Sequence, residues 1–152
     1  MLRLSKLADY AVVVLVRLAR GDDVQTSPGI AAVTGLPEPT VAKVLKALAS
    51  AGLVVSQRGA RGGYRLARPL ATIQVADVIG AIDGPVYLTA CVEGSRSICE
   101  AEHVCSCRGG WDKVNDVIMQ ALGTISIADI APARVRPEIA VQARPEPTIL
   151  VE

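Results

Sequence analysis

The chain has 152 residues, 51% of them hydrophobic, 20% charged and 3% aromatic, with no Phe and a net charge of +1. That length fits one domain, or one small domain with an appended element, and the apolar content excludes wholesale disorder. The longest apolar run, Tyr10 to Val16, falls far short of the roughly 18 residues of a membrane span. The first residues also lack the apolar region and cleavage site of a secretion signal, so a soluble, cytoplasmic protein with no membrane partner is expected.

The near-zero net charge hides an asymmetry. Residues 1–70 carry ten Lys and Arg against four acids, a net of +6, and the remainder carries six against eleven, a net of −5. A basic first half points to a polyanion partner, and the acidic second half argues against binding over the whole surface. All four cysteines, Cys91, Cys99, Cys105 and Cys107, lie within seventeen residues of the acidic half. In a reducing compartment such a cluster reads as a metal or redox site rather than a disulfide frame.

In chain order, Leu4 to Arg20 has helical spacing through Leu4, Leu7, Ala8, Ala11, Leu15 and Leu18, and Gly21 ends it. Val12, Val13, Val14 and Val16 make this helix apolar nearly all round, so it has both its own core and a partner to bury against. Ser27-Pro28 predicts a second helix with Ser27 as its N-cap, stopped by Gly35. A third helix is expected from about Pro39 to Ala51, burying Val41, Val44, Leu45 and Leu48 and turning Thr40, Lys43, Lys46 and Ala47 outward. The pair, joined by a short turn containing Gly, has a helix-turn-helix outline.

Leu53–Gln57 and Tyr64–Ala67 read as strands flanking Arg58-Gly59-Ala60-Arg61-Gly62-Gly63, a glycine-rich hairpin tip. Thr72 to Ile82 resumes helical spacing. Residues 86–110 lack a period and read as an irregular loop. A last helix from about Trp111 to Leu122 places Trp111, Val114, Ile118 and Leu122 on one stripe, and the proline-interrupted residues 131–152 are expected to be a disordered tail.

The expected architecture is mainly α with a small β wing. Residues 1–70 form a winged helix-turn-helix, 71–130 carry the Cys-rich loop and a long dimerisation helix, and 131–152 form the tail. The dimensions of DNA explain the first unit: a major groove admits a helix, and a thin glycine-rich ribbon can enter the minor groove. The candidate contacts to a double-stranded DNA operator are Ser27, Thr40, Lys43, Lys46, Arg58, Arg61 and Tyr64, the two wing arginines suiting a narrow, electronegative groove. The plainer alternative is a solvated basic hairpin, which leaves the glycines beside two arginines unexplained.

The thiols spell Cys91-x7-Cys99-x5-Cys105-x-Cys107 with His103 inside. Three thiolates on one loop can hold an iron–sulfur cluster with a fourth ligand from elsewhere, or zinc, or they can act as a thiol switch. There is one His, no nucleophile–base signature and no phosphate loop, so an enzyme is not expected.

These motifs together resemble the Rrf2 family of bacterial winged-helix regulators. The likeness rests on Met1-Leu2-Arg3-Leu4-Ser5-Lys6-Leu7-Ala8-Asp9-Tyr10-Ala11, Leu53-Val54, Arg58-Gly59-Ala60-Arg61-Gly62-Gly63-Tyr64-Arg65-Leu66, the cysteine loop and Trp111. It spans roughly residues 1–130 and is most specific at the wing. Within the family the chain is most similar to regulators of the SUF iron–sulfur assembly operon.

The resemblance implies a homodimer joined through the last helices at Trp111, Val114, Ile118 and Leu122, with each cluster near the partner's first helix. It implies Cys91, Cys99 and Cys105 as ligands of a [2Fe–2S] or [4Fe–4S] cluster. Relatives take a fourth ligand from a His three residues before the Trp, where this chain has Arg108, or from a carboxylate of the other subunit's first helix, where it has Asp9. His103 and Cys107 are local alternatives.

Plainer readings pair Asp9 with Arg17 or Lys6, leave His103 solvated and make Cys107 a bystander. The expected function is a cluster-sensing repressor of iron–sulfur assembly genes. The alternative is a zinc-binding or thiol-redox protein using the same cysteines, with or without DNA.

Overall fold

Ser5 starts the first helix, α1 (Lys6–Leu18): its backbone is extended and its hydroxyl accepts a hydrogen bond from the N–H of Ala8. In this computed structural model, residues 4–21, 23–95, 98–101, 103–107 and 109–131 are described. The expected tail lies outside them, apart from its first residue. After α1 come α2 (Ser27–Thr34) and α3 (Glu38–Ser50), then an antiparallel ribbon of β1 (Val54–Gln57) and β2 (Gly63–Leu66). A 3-10 turn at Leu70–Thr72 leads into α4 (Val75–Asp83), and α5 (Gly110–Thr124) and α6 (Ile127–Ile130) follow the cysteine loop. The mainly helical fold with a two-stranded wing matches the expectation from sequence.

Two local expectations need correction. The N-cap of α2 is Thr26, not Ser27: Thr26 has the extended backbone, and its hydroxyl accepts from Gly29 N–H at 3.2 Å. Pro28 therefore sits one position further into the helix. The helix expected from Thr72 starts only at Val75, because Ile73 is extended and fully buried. Its segment is held straight by Ile127 N–H donating to Ile73 O at 2.8 Å and Val75 N–H donating to Ile125 O at 2.9 Å. Sequence periodicity also left α6 unread, four residues that follow the return leg of that pairing.

One core joins these elements. Val14, Leu15 and Leu18 of α1, Ile30 of α2, and Val41, Val44, Leu45 and Leu48 of α3 are all buried. The core does not stop at residue 70, since Ile73, Val78 and Ile127 belong to the same cluster. The Leu and Ile side chains of this set each remove enough apolar surface from water to contribute about 1.5–3 kcal/mol. The winged unit and the root of α4 are thus one packed body. Val13 on α1 remains exposed, and Val12 and Val16 are half-buried, so the helix that is apolar all round still has an open side within one protomer.

Candidate nucleic-acid interface and thiol loop

The α3 helix divides as its spacing predicts. Val41, Val44, Leu45 and Leu48 face the core, Lys43 and Lys46 are exposed, and Thr40 is half-exposed. The turn before it is tight because Gly35 takes a left-handed conformation (φ 72°), which lets its N–H close on Ala31 O. Positive charge therefore sits on the outer face of a helix whose inner face is fixed by packing.

The wing pairs Val54 with Leu66 through Gln57 with Gly63, leaving residues 58–62 as its tip. Arg58 and Arg61 are exposed there. A Cβ at Gly62 would stand 2.6 Å from Gln57 O and 2.8 Å from Gly59 O, so only glycine lets this tip fold back on itself. The second strand of the wing is tied down by a residue the sequence reading missed. Gln25 exchanges two backbone hydrogen bonds with Tyr64, at 2.8 and 2.9 Å, and its side-chain amide donates to Leu18 O at 3.2 Å. Gln25 thus joins the wing to the carboxyl end of α1.

Tyr64, opposite Ser56 and one pair in from the tip end of the ribbon, is half-buried against the core. The hydroxyl oxygen of Ser27 is buried with no hydrogen-bond partner among the described residues. Among the described residues the one ion pair is Arg68–Asp77, at 2.7 Å. Arg58, Arg61, Lys43 and Lys46 therefore keep their charge available for an anionic partner.

The loop from Gly84 to Gly109 contains no helix or strand among its described residues. Cys91, Cys99 and Cys105 are half-buried, Cys107 and His103 are exposed, and all four thiols are free. As a donor set, three partly shielded thiolates on one loop suit iron–sulfur chemistry or zinc. Among the described residues, however, no three His, Cys, Asp or Glu side chains stand together closely enough to hold a metal ion. Asp9 is exposed on α1 and forms no ion pair with Lys6 or Arg17. It borders a mostly apolar cleft of about 310 Å³ with Val12, Val75, Ile79 and Ile130. Arg108 falls outside the described residues.

The last helix is anchored on one side only. Asn115 is 7% exposed and accepts a hydrogen bond from Leu88 N–H, while Asp112 accepts one from Glu93 N–H. Ile118 and Leu122 are half-buried, whereas Trp111, Val114 and Val117 are exposed at 45%, 43% and 64%. The expected stripe is therefore split between a buried flank and an open apolar face that also includes Val117.

A model of the Rrf2 family, described as iron-dependent transcriptional regulators, matches residues 4–133. Protein aau3 of Rhizobium meliloti is 31% identical over 134 residues, covering 88% of this chain and 87% of that protein. Among solved structures, the global cysteine regulator CymR of B. subtilis superposes with a TM-score of 0.65 at 28% identity, over 86% of this chain and 97% of that one. T. potens IscR superposes with a TM-score of 0.58 at 32% identity, over 85% of each chain.

Proposed function

The chain belongs to the Rrf2 family of iron-dependent transcriptional regulators and not to a family of enzymes, and from that premise we propose that it is a homodimeric, DNA-binding repressor that senses an iron–sulfur cluster. Its proposed targets are iron–sulfur assembly genes of the SUF type, and its proposed place of action is the cytoplasm. No helix among the described residues is long and apolar enough to cross a membrane.

The observation that carries this reading is the shared core. The α3 helix with exposed Lys43 and Lys46 is packed into the same body as α4, the helix from which the thiol loop departs. A change of state at the loop therefore acts on a rigid body that carries the DNA-facing charges. Thr40, Lys43 and Lys46 are assigned to the major groove, and Arg58 and Arg61 to the minor groove. Cys91, Cys99 and Cys105 would hold a [2Fe–2S] or [4Fe–4S] cluster, with Asp9 of the other subunit, His103 or Cys107 as fourth ligand. The cluster would supply a charged, redox-active group whose presence reports iron supply. The open face of Trp111, Val114 and Val117, flanked by Ile118, is assigned to a second copy, because soluble proteins rarely leave so large an apolar patch bare.

Anaerobic purification followed by an absorption spectrum and by iron, sulfide and zinc analysis tests the sensor. The reading expects iron and sulfide in near-equal amounts, a visible chromophore, and its loss in Cys91→Ala, Cys99→Ala and Cys105→Ala. Stoichiometric zinc without sulfide refutes the cluster and leaves the regulator. That second reading, zinc or thiol-redox sensing by the same cysteines, is favoured by the described thiols being free and ungathered.

A further inference from the structure

The loop that carries the thiols is not uniformly tethered. Its first part is fixed to α5 at two points one helical turn apart. Asn115 Oδ1 accepts from Leu88 N–H at 3.1 Å, and Asp112 Oδ1 accepts from Glu93 N–H at 2.9 Å. Cys91 lies between these two anchored amides. Beside it Val92 is buried, the Thr89 hydroxyl stands 3.2 Å from Cys91 Sγ, and Val92 N–H closes a turn onto Thr89 O. Further along, the backbone bonds include short turns, Ser95 N–H to Val92 O, Val104 N–H to Ala101 O and Gly110 N–H to Cys107 O. Among the described residues, no helix side chain hydrogen-bonds to Cys99, Cys105 or Cys107.

Asn115 is also the one residue of α5 that is buried, and it is polar. A buried amide is retained at a cost unless its hydrogen bonds are made, and here its acceptor is spent on the loop rather than on the core. The amide is therefore explained by the loop it holds.

We infer that Asn115 and Asp112 are positioning residues for the thiol site: they clamp residues 88–93 and fix Cys91 as the preset ligand toward which the other thiols are gathered. This rests on the metal-site reading given under the proposed function. Groups that orient a ligand from behind typically set metal affinity by about 10–100-fold.

The test uses the full-length chain with Asn115→Leu, which removes the acceptor at similar volume, and Asn115→Asp, which keeps it. Asp112→Ala and Asp112→Asn form the same pair. In the metal-free protein, Cys91 is labelled with iodoacetamide and followed by mass spectrometry against Cys107 as an internal reference. After anaerobic loading with iron and sulfide, or with zinc alone, metal release to a chelator is timed.

Asn115→Leu should label Cys91 several-fold faster and release metal about ten-fold faster, with helix content unchanged by circular dichroism. Asn115→Asp should restore both, which a merely structural role for the side chain's volume would not require. Wild-type rates in Asn115→Leu, for labelling and release alike, overturn the clamp. A wild type that takes up neither iron with sulfide nor zinc overturns the metal-site reading instead, and the labelling comparison then decides by itself whether the clamp fixes Cys91.

Discussion

Replacing the wing arginines should change how DNA binding depends on salt, by an amount that can be worked out in advance. Each phosphate contact releases counterions and contributes about 0.9 to the slope of log affinity against log salt. Arg58 and Arg61 are exposed at the wing tip and unpaired with acids among the described residues. The proposed dimer has two wings, so Arg58→Ala or Arg61→Ala should each lower the slope by about 1.8. Over a four-fold rise in salt, the wild type should then lose roughly twelve-fold more affinity than either variant. Arg68 is the internal control: its guanidinium already lies 2.7 Å from the Asp77 carboxylate, so Arg68→Ala should leave the slope nearly unchanged. Fluorescence anisotropy on a random-sequence 30-base-pair duplex reads the electrostatic part without knowledge of the operator. Equal slopes in all variants, or a drop for Arg68→Ala as large as for the tip arginines, would refute the assignment of the wing to DNA.

Gly62→Ala should weaken DNA binding about as much as loss of a tip arginine while leaving the melting temperature close to wild type, because its Cβ collides with Gln57 O at 2.6 Å and Gly59 O at 2.8 Å, both at the exposed outer end of the wing and not in the core. Full binding by this variant would show that the tip conformation is irrelevant. Val117→Glu, on the open face of α5 at 64% exposure, should convert the proposed dimer to monomer or aggregate in sedimentation velocity, and a wild type that already sediments as a monomer at micromolar concentration refutes the assembly. The Ser126 hydroxyl and then its backbone N–H donate to Asp129 and hold its carboxyl below the usual aspartate range. A group depressed in the folded state stabilises fully above its unfolded value and stops doing so as pH falls through the lower folded value. Denaturant melts should therefore show Asp129→Asn losing stability near neutral pH and converging on wild type in acid; parallel curves would exclude the carboxylate.

The helices and the wing were legible because their signals are local. Val41, Val44, Leu45 and Leu48 repeat at helical spacing, and glycines beside Arg58 and Arg61 announce a ribbon tip whether or not the rest of the chain is known. The parts that stayed hidden depend on residues far apart in sequence. Gln25 has no local reason to matter until Tyr64 is brought beside it, and α6 exists because Ile73 and Ile127 share one buried strip. The stripe on the last helix shows the limit most clearly. Periodicity located an apolar face but could not tell that Asn115, at its edge, is the residue packed inward, since the amide is buried to hold Leu88 rather than to avoid water. The four thiols were conspicuous in sequence, yet their arrangement depends on an irregular loop whose shape no periodic pattern encodes.

The position of Asp83 ties these two halves of the molecule together. It is the last residue of α4, where the helix dipole disfavours an acid. Its carboxylate is instead placed at the amino end of α1, accepting from the Ser5 hydroxyl at 2.7 Å and from the Ser5 backbone N–H at 3.4 Å. What is unfavourable for one helix is favourable for the other, so the acid makes sense only as a link. It also lines a cleft of about 760 Å³ with Gly84, Tyr87, Leu88 and Thr89, the stretch that leads to Cys91. Both hydrogen bonds are exposed, and a net contribution of about 1 kcal/mol each is small enough for a rearranging loop to break. Ser5 in turn caps α1, which packs directly on α3. On the proposed reading, a loop that changed shape with its cluster would act on Asp83 and, through Ser5, on the cap of α1. For the proposed sensor to couple to α3 through this contact, the Asp83–Ser5 pair must have both a made and a broken state.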